Sequence, residues 1–187
     1  MKKTVFVGVI GANGSGKSLF CDVLKGTGFV AVSLSDVVRS YVASQQLPAD
    51  RDTLTEQANR LKEKFGLRYF AKTCLDQVRQ EAYIRVVFDS IRHPDEAAYL
   101  KQQGVFLVGL KAAASCRYDR IKLRQKETDF VDEATFLRQD AYEYSGDSLG
   151  QSIQTCFDYC DVVIHNDGTL DDFERAIDRD VLQQVLV

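Results

Sequence analysis

Residues 11–18 constrain the fold of this 187-residue chain more than any other stretch, because they read Gly-Ala-Asn-Gly-Ser-Gly-Lys-Ser. This sequence matches the pattern G-x-x-x-x-G-K-[ST] at every fixed position. Glycines permit backbone angles that are closed to other residues, so successive N–H groups can turn inward and hold an anion. The pattern therefore predicts a loop that binds nucleotide phosphates. The residues expected to contribute are Gly11, Asn13, Gly14, Ser15, Gly16, Lys17 and Ser18.

The residues on either side of this loop predict the strand and the helix that such a loop requires. Residues 4–10 form an apolar, β-branched run that is typical of a buried parallel strand. Apolar residues then recur at helical spacing from position 19 to position 24. We expect Lys17 to reach the β- and γ-phosphates of ATP and the Ser18 hydroxyl to bind Mg²⁺, so ATP and Mg²⁺ are the expected cofactors.

Strand and helix patterns alternate along the rest of the chain. Four more apolar runs predict strands at residues 29–32, 83–89, 105–110 and 161–165. Alternation of this kind predicts a parallel sheet with right-handed crossovers, here a three-layer α/β/α domain that spans residues 1–187. Residues 36–82 show helical patterns only, with Ser35 expected as one N-cap and a capping box expected at Thr53-x-x-Glu56.

Composition and charge restrict the classes of partner. The net charge of −3 gives no basic field for a nucleic acid polymer. No apolar run approaches the ~18 residues of a membrane span, so no membrane partner is expected. A cleaved signal peptide would destroy the loop motif, and the five cysteines contain no C-x-x-C pair. We therefore expect a cytoplasmic monomer or homodimer with reduced thiols.

Two aspartates are candidates for the chemistry at the strand ends. Asp89 ends an apolar strand, where it would hold Mg²⁺ directly or through water, although an aspartate there can also cap a loop. Asp36 lies in the first turn of a predicted helix, where it would face the metal or the acceptor. The helix dipole alone also favours an acid at that position, so both readings of Asp36 stay open.

Five arginines are candidates for binding phosphate groups. Arg39 and Arg92 both follow strand ends, and arginine suits a two-pronged grip on phosphate. Arg117, Arg120 and Arg124 are spaced i, i+3 and i+7, which places them on one face of a predicted helix. A polyphosphate would relieve the repulsion between these like charges, whereas a solvated basic face is the alternative.

Several segments make the chain resemble the nucleoside monophosphate kinase group of phosphate-loop proteins, in its adenylate-kinase-like and dephospho-CoA-kinase-related branch. The segments are residues 35–39, residues 89–94 with Ser90 in place of the group's glycine, and residues 166–170. The resemblance implies a sheet order of 2-3-1-4-5, a helical acceptor-binding region at residues 36–82 and a short lid near 124–133. It also implies that residues 166–170 contact the adenine of the donor, through Asn166 and Gly168.

The resemblance implies ATP-dependent phosphoryl transfer to a small nucleotide, as in a nucleoside or deoxynucleoside monophosphate kinase. Lys17, Asp36, Asp89 and the three clustered arginines are then the expected catalytic residues, and Asp36, Arg39 and Arg92 the expected substrate-binding residues. One alternative is a dephospho-CoA kinase, whose hydroxyl acceptor needs a base, with Asp36 or Asp89 as candidates. Another alternative is a nucleotide-binding ATPase or regulatory module without an acceptor.

Overall fold

Five parallel strands form a single sheet in the computed structural model, which describes residues 4–124, 132–145 and 151–186. The strands are β1 (Val5–Ile10), β2 (Val30–Ser33), β3 (Arg85–Ile91), β4 (Phe106–Lys111) and β5 (Val162–His165). They pair in the order β2-β3-β1-β4-β5, and every neighbouring pair is parallel. The order 2-3-1-4-5 and the three-layer α/β class are therefore confirmed, with strand ends displaced by one or two residues from those predicted.

Helices connect the strands and cover both faces of the sheet. They are α1 (Lys17–Gly26), α2 (Ser35–Ser44), α3 (Arg51–Phe65), α4 (Tyr69–Gln80), α5 (Pro94–Gln102), α6 (Ala114–Arg124), α7 (Glu133–Ser145), α8 (Ile153–Cys156), α9 (Leu170–Ile177) and α10 (Gln183–Val185). A 3₁₀ turn (Phe157–Tyr159) follows α8, and a π turn (Asp178–Leu182) precedes α10. Helices α2 to α4 make residues 36–82 helical, as predicted, while residues 125–131 of the predicted lid lie outside the described residues.

Two hydrophobic cores lie on opposite faces of the sheet. In β3, Val86 and Phe88 belong to the core that packs under α2, α4 and α5, whereas Val87 belongs to the core under α1 and α9. This division follows from the alternation of side chains along a strand. Within the described ranges, no helix is both long enough and apolar enough to cross a bilayer.

Two helix starts differ from the predicted ones. Helix α2 has Leu34 at its N-cap, so Ser35 is the first helical residue rather than the cap. Helix α3 has Asp50 at its N-cap, whose carboxylate accepts the N–H of Thr53 at 2.9 Å. The predicted capping box from Thr53 to Glu56 is therefore wrong, because Thr53 already lies inside the helix and an aspartate three residues earlier supplies the capping oxygen.

Candidate functional site

A cavity of about 810 Å³ opens at the carboxyl ends of the strands. Ligands of open α/β sheets bind at this edge. One side of the cavity, the phosphate-loop half, is lined by residues of the 11–18 loop, α6 and the turn at 166–170. The other side, the helical half, is lined by residues of α2, α3 and α4, with Arg92 and Glu96 beside them. The ends of β2 and β3 and the residues of α7 lie along the same cavity.

The phosphate loop has a backbone that only glycine suits at two positions. Gly14 has a φ of +80° and Gly16 a φ of +106°. A Cβ atom at Gly14 would lie 2.6 Å from the Arg117 carbonyl oxygen, and one at Gly16 would lie 2.4 Å from Asn166 Nδ2. Helix α1 begins directly after Gly16, so its positive end faces the cavity. This cradle fits the phosphates of a nucleotide.

Lys17 closes the loop onto itself. Its ammonium donates hydrogen bonds to the carbonyl oxygens of Gly11 at 2.8 Å and Ala12 at 2.9 Å. Burial and the charge of Arg92 lower the pKa of Lys17 to about 8, against the opposing charge of Asp89. The ammonium is therefore poorly compensated in this state, and an anion that enters the cradle would stabilise its charge.

Gly11 and Ser15 support the loop from beneath, and neither is among the residues that line the cavity. Ser15 is buried, and its hydroxyl has no hydrogen-bond partner in the part of the chain that the structure describes. A Cβ atom at Gly11 would lie 2.5 Å from this hydroxyl oxygen. The two residues thus fix the shape of the loop. That their backbone N–H groups bind phosphate remains a prediction.

Asp89 lies in the cavity wall and Asp36 does not. The Asp89 Oδ1 atom accepts the N–H of Ser90 at 2.6 Å, while Asp89 and Ser18 together offer oxygen atoms of the kind that Mg²⁺ prefers. Asp36 is exposed and does not line the cavity. The first turn of α2 contributes Ser35 to the lining instead. Asp36 therefore lies outside the cavity lining, and its action on the metal or the acceptor stays a prediction.

Arg117 is a structural residue. It is buried, and its Nη2 atom donates to Asp140 Oδ2 at 2.6 Å in a two-pronged pair that joins α6 to α7. The rings of Phe136 and Tyr144 lie 5.5 and 5.6 Å from its guanidinium carbon. Arg117 is not in the cavity wall, so the prediction that it closes over the transferred phosphoryl group is contradicted.

Arg120 and Arg124 do line the cavity, and both contact its phosphate-loop half. Arg120 Nη2 donates to the main-chain oxygen of Asn166 at 2.8 Å. Arg124 Nη2 donates to Asn13 Oδ1 at 3.2 Å. The predicted common face of α6 therefore exists and contacts the loop and the 166–170 turn, while Arg124 stays exposed to solvent.

Asn166 fastens the turn to the phosphate loop. Its Nδ2 atom donates to the Ser15 carbonyl oxygen at 3.0 Å. Gly168 lies in the cavity wall nearby, as do Leu170 and Phe173. These residues form an apolar edge next to the loop, and the contact with a nucleobase stays a prediction.

The helical half combines an apolar wall with a few charged groups. The apolar residues are Leu34, Val38, Leu54, Ala58 and Phe70. Arg39 and Arg92 line the same half, as do Lys62 and Glu96, which are both buried. Burial raises the pKa of Glu96, and the charge of Lys62 opposes that rise. Sequence reasoning missed Lys62 and Glu96, since no motif surrounds either residue.

Glu143 of α7 is a further residue that sequence reasoning missed. It is buried and lies in the cavity wall. Its Oε1 atom accepts from Arg92 Nη1 at 2.9 Å and its Oε2 atom from the Asn13 N–H at 3.3 Å. Arg92 Nη1 also donates to Gln151 Oε1 at 2.6 Å. The pair joins positions 51 residues apart, so no local pattern could have revealed it.

Solved structures with the same fold include several enzymes. The crystal structure of TT1252 from Thermus thermophilus superposes with a TM-score of 0.68 at 18% identity and covers 98% of this chain and 99% of that one. The dephospho-CoA kinase from Campylobacter jejuni superposes with a TM-score of 0.58 at 15% identity, with 96% of each chain covered. At these identities, the similarity establishes a P-loop kinase-like fold.

Sequence comparison gives the family. The sequence pattern of the AAA domain family matches residues 7–137. A UPF0200 protein of Methanoregula boonei is 30% identical over 173 residues, which cover 91% of this chain and 92% of the relative. The chain therefore belongs to the AAA domain family and to the UPF0200 proteins.

Proposed function

We propose that this protein is an ATP- and Mg²⁺-dependent phosphotransferase with a small-molecule acceptor. The observation that carries the proposal is the shape of the cavity, which joins the phosphate-loop half to a second half with its own apolar wall and charged groups. Hydrolysis of ATP alone would need only a site for water beside the loop. A second half lined by three helices supports a second substrate.

Transfer at this site relies on position and charge, since phosphoryl transfer needs little covalent chemistry from the protein. The backbone of the loop and the N-terminus of α1 hold the phosphates, and Lys17 neutralises charge on the transferring group. Ser18 and Asp89 hold Mg²⁺, which neutralises charge on the phosphate oxygens when bound. Arg120 and Arg124 fix the loop and its adjoining turn, since they bond to Asn166 and Asn13.

Two classes of acceptor have support in the helical half. Arg39 and Arg92 line it, and two guanidinium groups suit the phosphate of a nucleoside monophosphate. The pairing of Arg92 with buried Glu143 favours instead an acceptor that reacts through a hydroxyl group. The Campylobacter jejuni neighbour, a dephospho-CoA kinase by its name, is consistent with this second class.

The test is Lys17→Ala, with Lys25→Ala on the same helix as the control. Lys25 is exposed and pairs with Asp22 outside the cavity. ADP release from Mg-ATP should fall by about a hundredfold or more in Lys17→Ala and stay at the wild-type rate in Lys25→Ala, when assayed against a panel of nucleotide and hydroxyl acceptors. Turnover that survives in Lys17→Ala would refute the proposal.

A further inference from the structure

A buried carboxylate occupies the junction between the two halves of the cavity. Glu143 touches the phosphate loop through the Asn13 N–H and the helical half through Arg92. Its side chain is 3% exposed, against 32% for its partner Arg92. A carboxylate at this depth is costly unless it is paired, and this one is paired across two separate elements. The junction is also where the terminal phosphate of a donor would meet the acceptor.

Charged or titratable groups from four parts of the chain interact with Glu143. Arg92 lies on the side of β3, Lys17 on the side of the loop and Arg117 on α6, while Tyr144 follows it on α7. The guanidinium of Arg92 is already bonded to one carboxylate oxygen. A dianionic phosphate acceptor at this point would meet the negative charge of Glu143. A neutral hydroxyl group would meet a hydrogen-bond acceptor.

Three carboxylates line the cavity within the described ranges, namely Asp89, Glu96 and Glu143. One oxygen of Glu96 accepts the backbone N–H groups of Arg92 and His93, at 3.1 Å each, which commits it to the start of α5. Asp89 and Ser18 both line the cavity, and their oxygen atoms are of the kind that Mg²⁺ prefers. Glu143 is the carboxylate that lies between the loop and the helical half.

We propose that Glu143 is a catalytic residue that accepts the proton of a hydroxyl acceptor, an inference that rests on the proposed phosphotransferase function. The acceptor O–H bond breaks and its proton passes to a Glu143 oxygen. An oxygen electron pair forms the new bond to the γ-phosphorus. The bond from that phosphorus to the bridging β-phosphate oxygen breaks, and ADP leaves with its electrons. Arg92 keeps the carboxylate ionised and in place before the transfer.

The test replaces Glu143 with Gln and uses Glu133→Gln as the matched control, since Glu133 is exposed on the same helix and outside the cavity wall. ADP release from Mg-ATP is measured with water, dephospho-CoA and five nucleoside monophosphates as acceptors, over a range of pH. We expect kcat to fall by about a hundredfold in Glu143→Gln with the ATP KM within about twofold. The acid limb of the wild-type pH profile should vanish in Glu143→Gln and persist in Glu143→Asp.

A merely structural role gives a different result, because the amide oxygen of Gln can still accept from Arg92. The pH profile would then keep its acid limb. Equal rates in wild type and Glu143→Gln with every acceptor would overturn the proposal, and so would a nucleoside diphosphate formed from any monophosphate. Failure of the phosphotransferase function itself is distinct, because ADP release by the wild type would then be the same with water alone as with every acceptor.

Discussion

The affinity for ATP should fall as the pH rises through 8, because Lys17 loses its charge in that range. Burial and the charge of Arg92 lower the pKa of Lys17 to about 8 from its usual 10.5. Bound phosphates stabilise the ammonium and restore a high pKa, so binding takes up a proton wherever the empty protein has lost it. The shift corresponds to about 3 kcal/mol, at roughly 1.4 kcal/mol for each pKa unit.

The size of the effect follows from this pKa. About nine-tenths of Lys17 side chains carry a charge at pH 7 and only about one-tenth at pH 9. The apparent Kd for ATP should therefore be about tenfold weaker at pH 9 than at pH 7, with uptake of about 0.9 proton at pH 9. Burial raises the pKa of Cys21, Cys74 and Cys160 to about 12, so these three thiols stay protonated in this range.

Isothermal titration calorimetry at pH 7, 8 and 9, in pairs of buffers with different ionisation enthalpies, measures both the affinity and the proton uptake. Lys17→Arg is the control, because a guanidinium stays charged throughout this range and removes the pH dependence whatever its absolute affinity. A wild-type Kd that stays constant from pH 7 to pH 9, without proton uptake, would refute the argument that Lys17 is poorly compensated in the empty loop.

Two further predictions concern stability, measured by urea unfolding. Asp140→Ala should lower the free energy of unfolding by about 3–5 kcal/mol, because it leaves the buried guanidinium of Arg117 without its partner. Asp22→Ala breaks only the exposed pair with Lys25 and should lower it by less than about 1 kcal/mol. Equal losses in the two variants would mean that the buried pair is not structural. Ser90 has a φ of +64°, which strains a residue with a side chain. The Ser90→Gly variant should therefore be more stable than Ser90→Ala by about 1 kcal/mol. A more stable alanine variant would show that the backbone at Ser90 is not strained.

The sheet was predictable because its signals are local. The loop motif identifies β1 and α1, and each apolar run between helical patterns marks one strand. Parallel pairing and right-handed crossovers then leave few arrangements. The order of the strands came from the resemblance, since periodicity does not say which strands are neighbours.

The site was predictable where it depends on the loop and less so where it depends on helix faces. Val38 and Val42 are the buried residues of α2, and Asp36 lies two positions before Val38, about 200° around the helix axis. This periodicity was available from the sequence and places Asp36 away from the core side. The prediction that Asp36 is catalytic relied on its position near a strand end. It did not consider which face of α2 the residue occupies.

Contacts between distant segments explain the other differences. Nothing local to Arg117 indicates that Asp140 will pair with it, because the two residues lie on separate helices. The same holds for Glu143 and Arg92. A motif search finds residues whose spacing is fixed by chemistry along the chain, and these pairs are fixed only by how α6 and α7 pack against the sheet.

The bulge in β3 shows how one strained residue positions both halves of the site. Gly8 pairs with Phe88 and Ile10 with Ile91, so β3 holds one residue more than β1 across this interval. Regular alternation would place Ile91 on the face opposite Phe88, yet both belong to the same core. The extra residue therefore shifts the alternation of side chains along β3 between Asp89 and Arg92. Asp89 faces the loop, and Arg92 reaches Glu143.

This bulge strains the backbone at Ser90, whose left-handed conformation would suit a glycine better. The serine hydroxyl accepts a hydrogen bond from Ser33 Oγ at 3.0 Å, which ties the end of β2 to the bulge. Ser33 Oγ also lies 2.9 Å from Ser35 Oγ. Strain of this kind persists where surrounding contacts hold it in place, and these three hydroxyls line the cavity. A serine rather than a glycine at position 90 thus lowers the stability of the backbone and adds a polar group to the cavity wall.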